Sequence, residues 1–183
     1  MRVDKLSETY NLAVKYVHFP LHPETPDEGQ SLEQLFAGRD LDIPQMQADM
    51  AARMRAEGLE YGDRTMTCNS RRAQELACWA ATQPAGEAIH LALFVAYFVE
   101  GVNLAVVDRL VDIAAGVGLD PDAARRILEA RQFREAVSAD WERSRQLGVT
   151  GVPTYVAGGK GVVGAQPYEV LEQLVQEAGA QKR

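Results

Sequence analysis

An α/β domain interrupted by a long helical block is the fold class this sequence predicts, and three observations carry it. Val152-Pro153-Thr154-Tyr155-Val156 is an apolar, β-branched run opened by a proline. It reads as a strand start, because proline has no N–H to donate to a ladder and is confined to a strand's first residue or an edge. A second short strand over 161–165 follows the glycine-rich turn Gly158-Gly159-Lys160-Gly161, and a helix over 168–177 with Val170, Leu171 and Leu174 on one face closes the chain. Between residues 30 and 147 the apolar spacing is helical almost throughout.

At the start, Val3, Leu6 and Tyr10 recur at helical spacing, and Asn11 is the natural terminator. Residues 12–19, Leu-Ala-Val-Lys-Tyr-Val-His-Phe, are rich in β-branched and aromatic types and predict a strand, which Pro20-Leu21-His22-Pro23 stops. An exit loop runs to about Gly29. In the helical block, breakers at 38–44, 58–69, 83–86, 101–105 and 118–121 divide the chain into six helices. The predicted organisation is therefore a discontinuous domain made of 1–29 and 148–183, with 30–147 as a helical insertion and connecting helix.

Composition narrows the function classes. With 183 residues and 46% hydrophobic content the chain has enough apolar mass for a well-buried core. A net charge of -7 argues against nucleic acid or an anionic membrane as a partner. The longest nearly apolar run, 89–99, contains His90 and falls short of the roughly 20 residues a spanning helix needs. Arg2, Asp4, Lys5 and Glu8 break up any leader-like stretch. Two cysteines do not make a disulfide scaffold, so a reduced, cytoplasmic setting is the expectation.

Several segments, in order, resemble the FrnE-type branch of the DsbA-like family with its thioredoxin-like fold. They are Phe19-Pro20-Leu21-His22-Pro23 with Asp27-Glu28-Gly29, then Asn69-Ser70-Arg71-Arg72-Ala73-Gln74-Glu75-Leu76, and Ala92 through Gly101. The proline-led run and Gly164-Ala165-Gln166-Pro167 complete the set. Gln74 stands where the family usually has histidine. The resemblance implies a thioredoxin-like fold with an inserted helical lobe, a cis Val152-Pro153 bond, and a peptide-binding loop made of Thr150, Gly151, Val152 and Pro153 with Phe19 and Leu21 nearby. It also implies thiol-disulfide oxidoreduction, acting on protein or peptide thiols and disulfides.

That chemistry depends on a Cys-x-x-Cys at the start of the family's first helix, where amides and the helix dipole favour thiolate. This sequence has no such motif, nor the family's first strand. The expectation is that the start is internal to a longer gene, and that the chain as it stands is redox-inactive and needs no cofactor. Two alternatives accompany this reading. One is a glutathione-dependent isomerase or transferase of the chromene-carboxylate isomerase or kappa type, with a small apolar substrate. The other is a noncatalytic peptide-binding protein; self-association is compatible with each.

The remaining polar residues have plainer readings. Cys68, just before the capping residues Asn69 and Ser70, is the one candidate thiol, but a buried, inert thiol outweighs it. Cys78 lies on an apolar helical face and reads as core. Ten residues along a helix separate the two by about 15 Å, whereas a disulfide needs Cα atoms within about 7 Å. His18, His22 and His90 lack metal-ligand spacing, so no metal is expected. Trp79, Tyr97, Phe98 and Trp141 read as lobe core that contributes to a groove wall.

Overall fold

The computed structural model describes residues 2–84 and 86–183. In chain order the elements begin with α1 (Arg2–Thr9), β1 (Gln30–Ser31), α2 (Leu32–Leu35), α3 (Ile43–Ala56), β2 (Met66–Thr67) and α4 (Arg71–Ala80). They continue with α5 (Ala88–Phe98), α6 (Val107–Gly116), α7 (Pro121–Glu129), α8 (Arg134–Gln146), β3 (Thr154–Ala157), β4 (Lys160–Val163) and α9 (Tyr168–Glu177). The chain forms two compact units, one from residues up to Leu21 together with Ala139–Arg183, the other His22–Ser138.

In the first unit, α1 and α9 bury Leu6, Tyr10 and Leu171 against each other, with Tyr155, Val162 and Val175 packed around them. Tyr10 is buried with its polar end satisfied: its hydroxyl donates to Glu172 at 2.9 Å and accepts from Gln176 at 2.6 Å. Beneath this pair, β3 and β4 form an antiparallel hairpin in which Thr154 faces Val163 and Ala157 faces Lys160. Gly158 and Gly159 form its two-residue turn with φ of 56° and 78°, the left-handed pair that a tight hairpin requires. A side chain at Gly158 would collide with Ala178, so the turn is also held against the end of α9.

The expected strand over 12–19 does not form. Among the described residues, 12–19 takes part in no ladder, the isolated Tyr10–Lys182 bridge lying before it, and Val14 and Tyr16 are exposed. β propensity expresses packing on a pleated neighbour, and no neighbouring strand is there to supply it. The other two strands are shorter than predicted, beginning at Thr154 and ending at Val163.

In the second unit, α4, α5, α6 and α7 enclose a core in which Leu76, Ile89, Leu110 and Leu128 are fully buried. Asp120 caps α7, accepting from the N–H groups of Asp122 and Ala123, and Pro121 opens the helix where its missing N–H costs nothing. Seven helices, not six, lie between residues 30 and 147 among the described residues, because a further break at 130–133 separates α7 from α8. No glycine or proline marks that break. Arg131 takes a left-handed conformation there, φ 52°, and its guanidinium reaches the buried Glu75. The short β1–β2 pairing was also not legible, since two-residue strands carry no periodicity.

Candidate functional site

The loop that ends at Pro153 is built by the last turns of α8 and by the β3–β4 hairpin. After α8, Gly148 turns the chain with φ 68°, and the Val149 N–H donates to the Ser144 carbonyl at 3.0 Å. The Val152–Pro153 bond is cis. The Pro153 carbonyl accepts from the Gly164 N–H at 2.7 Å, and the Thr154 hydroxyl donates to the Gly151 carbonyl at 2.7 Å, so the loop is pinned at its strand side. On its other side, the N–H and C=O of Val152 have no partner among the described residues, and the Val152 side chain is 51% exposed. The arrangement is a short stretch of open main chain beside an apolar side chain.

Phe19 and Leu21 belong to the same unit and are held by the same helix. The His18 N–H donates to the Asp140 carboxylate at 3.1 Å, and the Ser144 hydroxyl donates to the His18 carbonyl at 3.2 Å. Ser144 thus anchors the 18–21 segment through its side chain and the 148–153 loop through its carbonyl. Sequence reading missed Asp140 and Ser144. A small hydroxyl residue buried in a helix otherwise dense in charge was the available signal, since such a residue needs a partner inside.

Cys68 lies in the second unit, immediately before α4. It is half-buried, and its sulfur accepts the Leu104 N–H at 3.2 Å. Burial pushes its pKa up, outweighing the amides of Leu104 and Ala105 and the nearby Arg64, which lower it. The thiol form is therefore favoured. Ser70 occupies the N-cap position but makes no side-chain cap bond; Asn69 serves α4, its Oδ1 accepting from the Arg71 N–H at 3.0 Å. Asn69 also ties down the preceding loop by donating to the Thr25 carbonyl at 2.8 Å. Gln74 donates to the Ser70 hydroxyl at 3.3 Å, a contact local to the helix start. Cys78, in no disulfide, is half-buried within α4. His22 lies 3.7 Å from the Glu24 carboxylate, and burial lowers the pKa of His90.

The model of the DsbA-like thioredoxin domain matches residues 1–176. The chain belongs to the DsbA-like thioredoxin-domain family. A crystal structure of a probable DsbA oxidoreductase from Streptomyces coelicolor superposes with a TM-score of 0.78 at 32% identity, over 87% of this chain and 72% of that one. The fold is also similar to that of a 2-hydroxychromene-2-carboxylate isomerase, with a TM-score of 0.70 at 18% identity, covering 97% of this chain and 85% of the isomerase. Among curated proteins, YwbO of Bacillus subtilis is 29% identical over 101 residues, 53% of this chain. The chain spans about half the length of that curated relative, 49% of it.

For this DsbA-like chain, the state of Cys68 has a direct chemical consequence. A thiol favoured in its neutral form and half-shielded attacks electrophiles slowly, because the thiolate is the nucleophile. Iodoacetamide labelling of Cys68 at pH 8 is expected to run about tenfold or more slower than labelling of a free cysteine, with its pH midpoint displaced upward. Peptide-resolved mass spectrometry measures both. Labelling as fast as free cysteine, with a midpoint below the ordinary thiol value, would make Cys68 an activated thiol.

Proposed function

We propose that this chain is the substrate-docking part of a DsbA-like thiol-disulfide oxidoreductase, and that neither of its own cysteines performs dithiol turnover. Family membership across residues 1–176 is the observation that carries the reading. The open main chain at Val152, beside Thr150, Gly151 and Pro153 and on the same helix anchor as Phe19 and Leu21, supports docking of an extended peptide by strand-like pairing. Main-chain groups supply affinity in that mode and apolar side chains supply selectivity. Two cysteines outside any disulfide fit a reducing, cytoplasmic setting, which belongs to the same proposal.

Titration of the isotopically labelled chain with a short extended peptide carrying a cysteine tests the docking. Amide shifts are expected at Thr150, Gly151 and Val152, at Phe19 and at Leu21. Val152→Pro removes one N–H that makes no internal bond, so folding should be retained while affinity falls by up to about tenfold, the worth of one hydrogen bond. Shifts confined to the second unit, or full affinity in V152P, would place docking elsewhere.

A further inference from the structure

Helix α5 has two apolar faces, and only one of them is used by the fold. Ile89, Leu93 and Ala96 point into the lobe core and are buried. On the opposite side Leu91, Phe94 and Val95 are 53%, 58% and 39% exposed, and Phe98 continues the stripe at the spacing i, i+3, i+4, i+7. No charged residue interrupts α5. The aromatic end is prebuilt: Phe94 stacks on Phe98 at 6.0 Å between centroids, and Tyr61 on Phe98 at 6.3 Å. A solvent-facing stripe of this kind, rigid and uncharged, marks a surface that binds another surface.

The charges at the two ends of the stripe choose the occupant. Glu87, the N-cap residue, is exposed and lies on the stripe's own face one turn before Leu91. At the other end the Arg64 guanidinium sits 5.5 Å from the Phe98 ring centroid and 5.0 Å from that of Tyr97. Neither Glu87 nor Arg64 has an ion-pair partner among the described residues, and the buried Nε of Arg64 lacks any hydrogen-bond acceptor. One end is therefore negative and the other positive, with an apolar stripe between them. Such a surface is complementary to itself when turned end for end.

We propose that a second copy of this chain docks on the stripe, two α5 helices packing antiparallel about a two-fold axis between Phe94 and Val95. In that register Leu91 meets the partner's Phe98 across the axis, and Phe94 meets the partner's Val95. Glu87 then falls about 6 Å along the helix beyond the partner's Phe98, within the reach of the partner's Arg64. One helix face with its flanking charges is smaller than the roughly 800 Å² per partner of a standard interface. The dimer is therefore weak and concentration-dependent.

Sedimentation velocity on the full chain from about 5 to about 500 μM tests this, in the range of a micromolar dimer. The weight-average sedimentation coefficient is expected to rise towards the dimer value, to stay at the monomer value for Phe94→Glu, and to rise as before for Met46→Glu/Met50→Glu on the other exposed apolar helix, α3. Circular dichroism checks that each variant is folded. The register is read by oxidation in a C68S/C78S background. The two copies of position 95 lie about 1.5 Å apart along the axis, but those of position 91 about 10 Å apart, beyond disulfide reach of about 7 Å. Val95→Cys should therefore cross-link at least about tenfold faster than Leu91→Cys. If the background fails to fold, the same two variants are oxidised with the natural cysteines present and the bridges assigned by mass spectrometry. A chain that stays monomeric to the top concentration, a dimer that survives F94E, or equal cross-linking at 91 and 95 would overturn the proposal.

Discussion

Arg131→Ala is expected to destabilise the second unit by about 2 to 4 kcal/mol, the largest loss from any single side-chain truncation on a polar site of this chain. The reason lies in Glu75, whose side chain is 0% exposed. Arg131 engages it with both prongs of its fork, Nε at 2.8 Å and Nη2 at 2.7 Å, and Arg71 stands 3.6 Å from the same carboxylate. Removing Arg131 leaves a buried carboxylate without its two strong donors. Because Arg131 is itself a third exposed, the loss sits below that of a fully buried pair. Arg131→Lys keeps the charge but not the fork and should fall between. Replacing both residues by methionine should recover most of the loss, since the desolvation cost leaves with the charges. Urea unfolding followed by helical circular dichroism reads all three. An R131A transition within about 0.5 kcal/mol of the parent, the range of typical surface substitutions, would show that the pair contributes nothing to stability.

A gain of function is the second large effect. A strand followed by Cys-Pro-x-Cys, placed directly before Arg2, would set two thiols at the N-terminus of α1, where unpaired amides and the helix dipole favour thiolate. Three residues apart on a helix start, they lie close enough to bridge. Starting from the oxidised form, a substrate thiolate attacks one sulfur and forms a mixed disulfide. The substrate's second thiol then attacks its own bridged sulfur, leaving oxidised substrate and a reduced Cys-x-x-Cys. The expected result is dithiol oxidation about a hundredfold or more above that of the unextended chain. An added strand would also give 12–19 and the β3 edge a pairing partner and cover part of Val14, Tyr16 and Val156, stabilising the first unit by about 2 kcal/mol. An extended chain that gains neither would remove the DsbA-type geometry from the account of α1.

Much of this architecture is legible in the sequence because each element carries its own local signal. The glycine pair at 158–159, the apolar spacing of α9 and the Asp120-Pro121 start of α7 are all set within a few residues. What escapes is set by partners distant in the chain. Residues 12–19 have strand-like composition, yet composition cannot supply the neighbour that makes a strand. Arg131 breaks the helical run without a breaker residue because its side chain answers Glu75, 56 positions away. Glu75 itself was a readable signal. It sits one turn from Trp79, on the buried face of α4, where a lone carboxylate demands a cation. At the site, the loop 150–153 was legible from the proline and its glycines, whereas the anchoring by Asp140 and Ser144 depends on tertiary contacts alone. Cys68 reads in sequence as a candidate thiol outweighed by a buried, inert one; in the structure burial raises its pKa, against the Leu104 and Ala105 amides that lower it.

On the proposed reading this DsbA-like chain docks peptide at residues 150–153, and neither Cys68 nor Cys78 takes part in dithiol turnover. Oxidation of a dithiol peptide, followed with glutathione disulfide as terminal oxidant, measures this directly in the chain, in the C68S/C78S variant and in the Cys-Pro-x-Cys extension. The account predicts the uncatalysed rate for the first two, indistinguishable from each other, and turnover for the third alone. Turnover by the unextended chain that disappears in C68S would contradict it and make Cys68 the nucleophile.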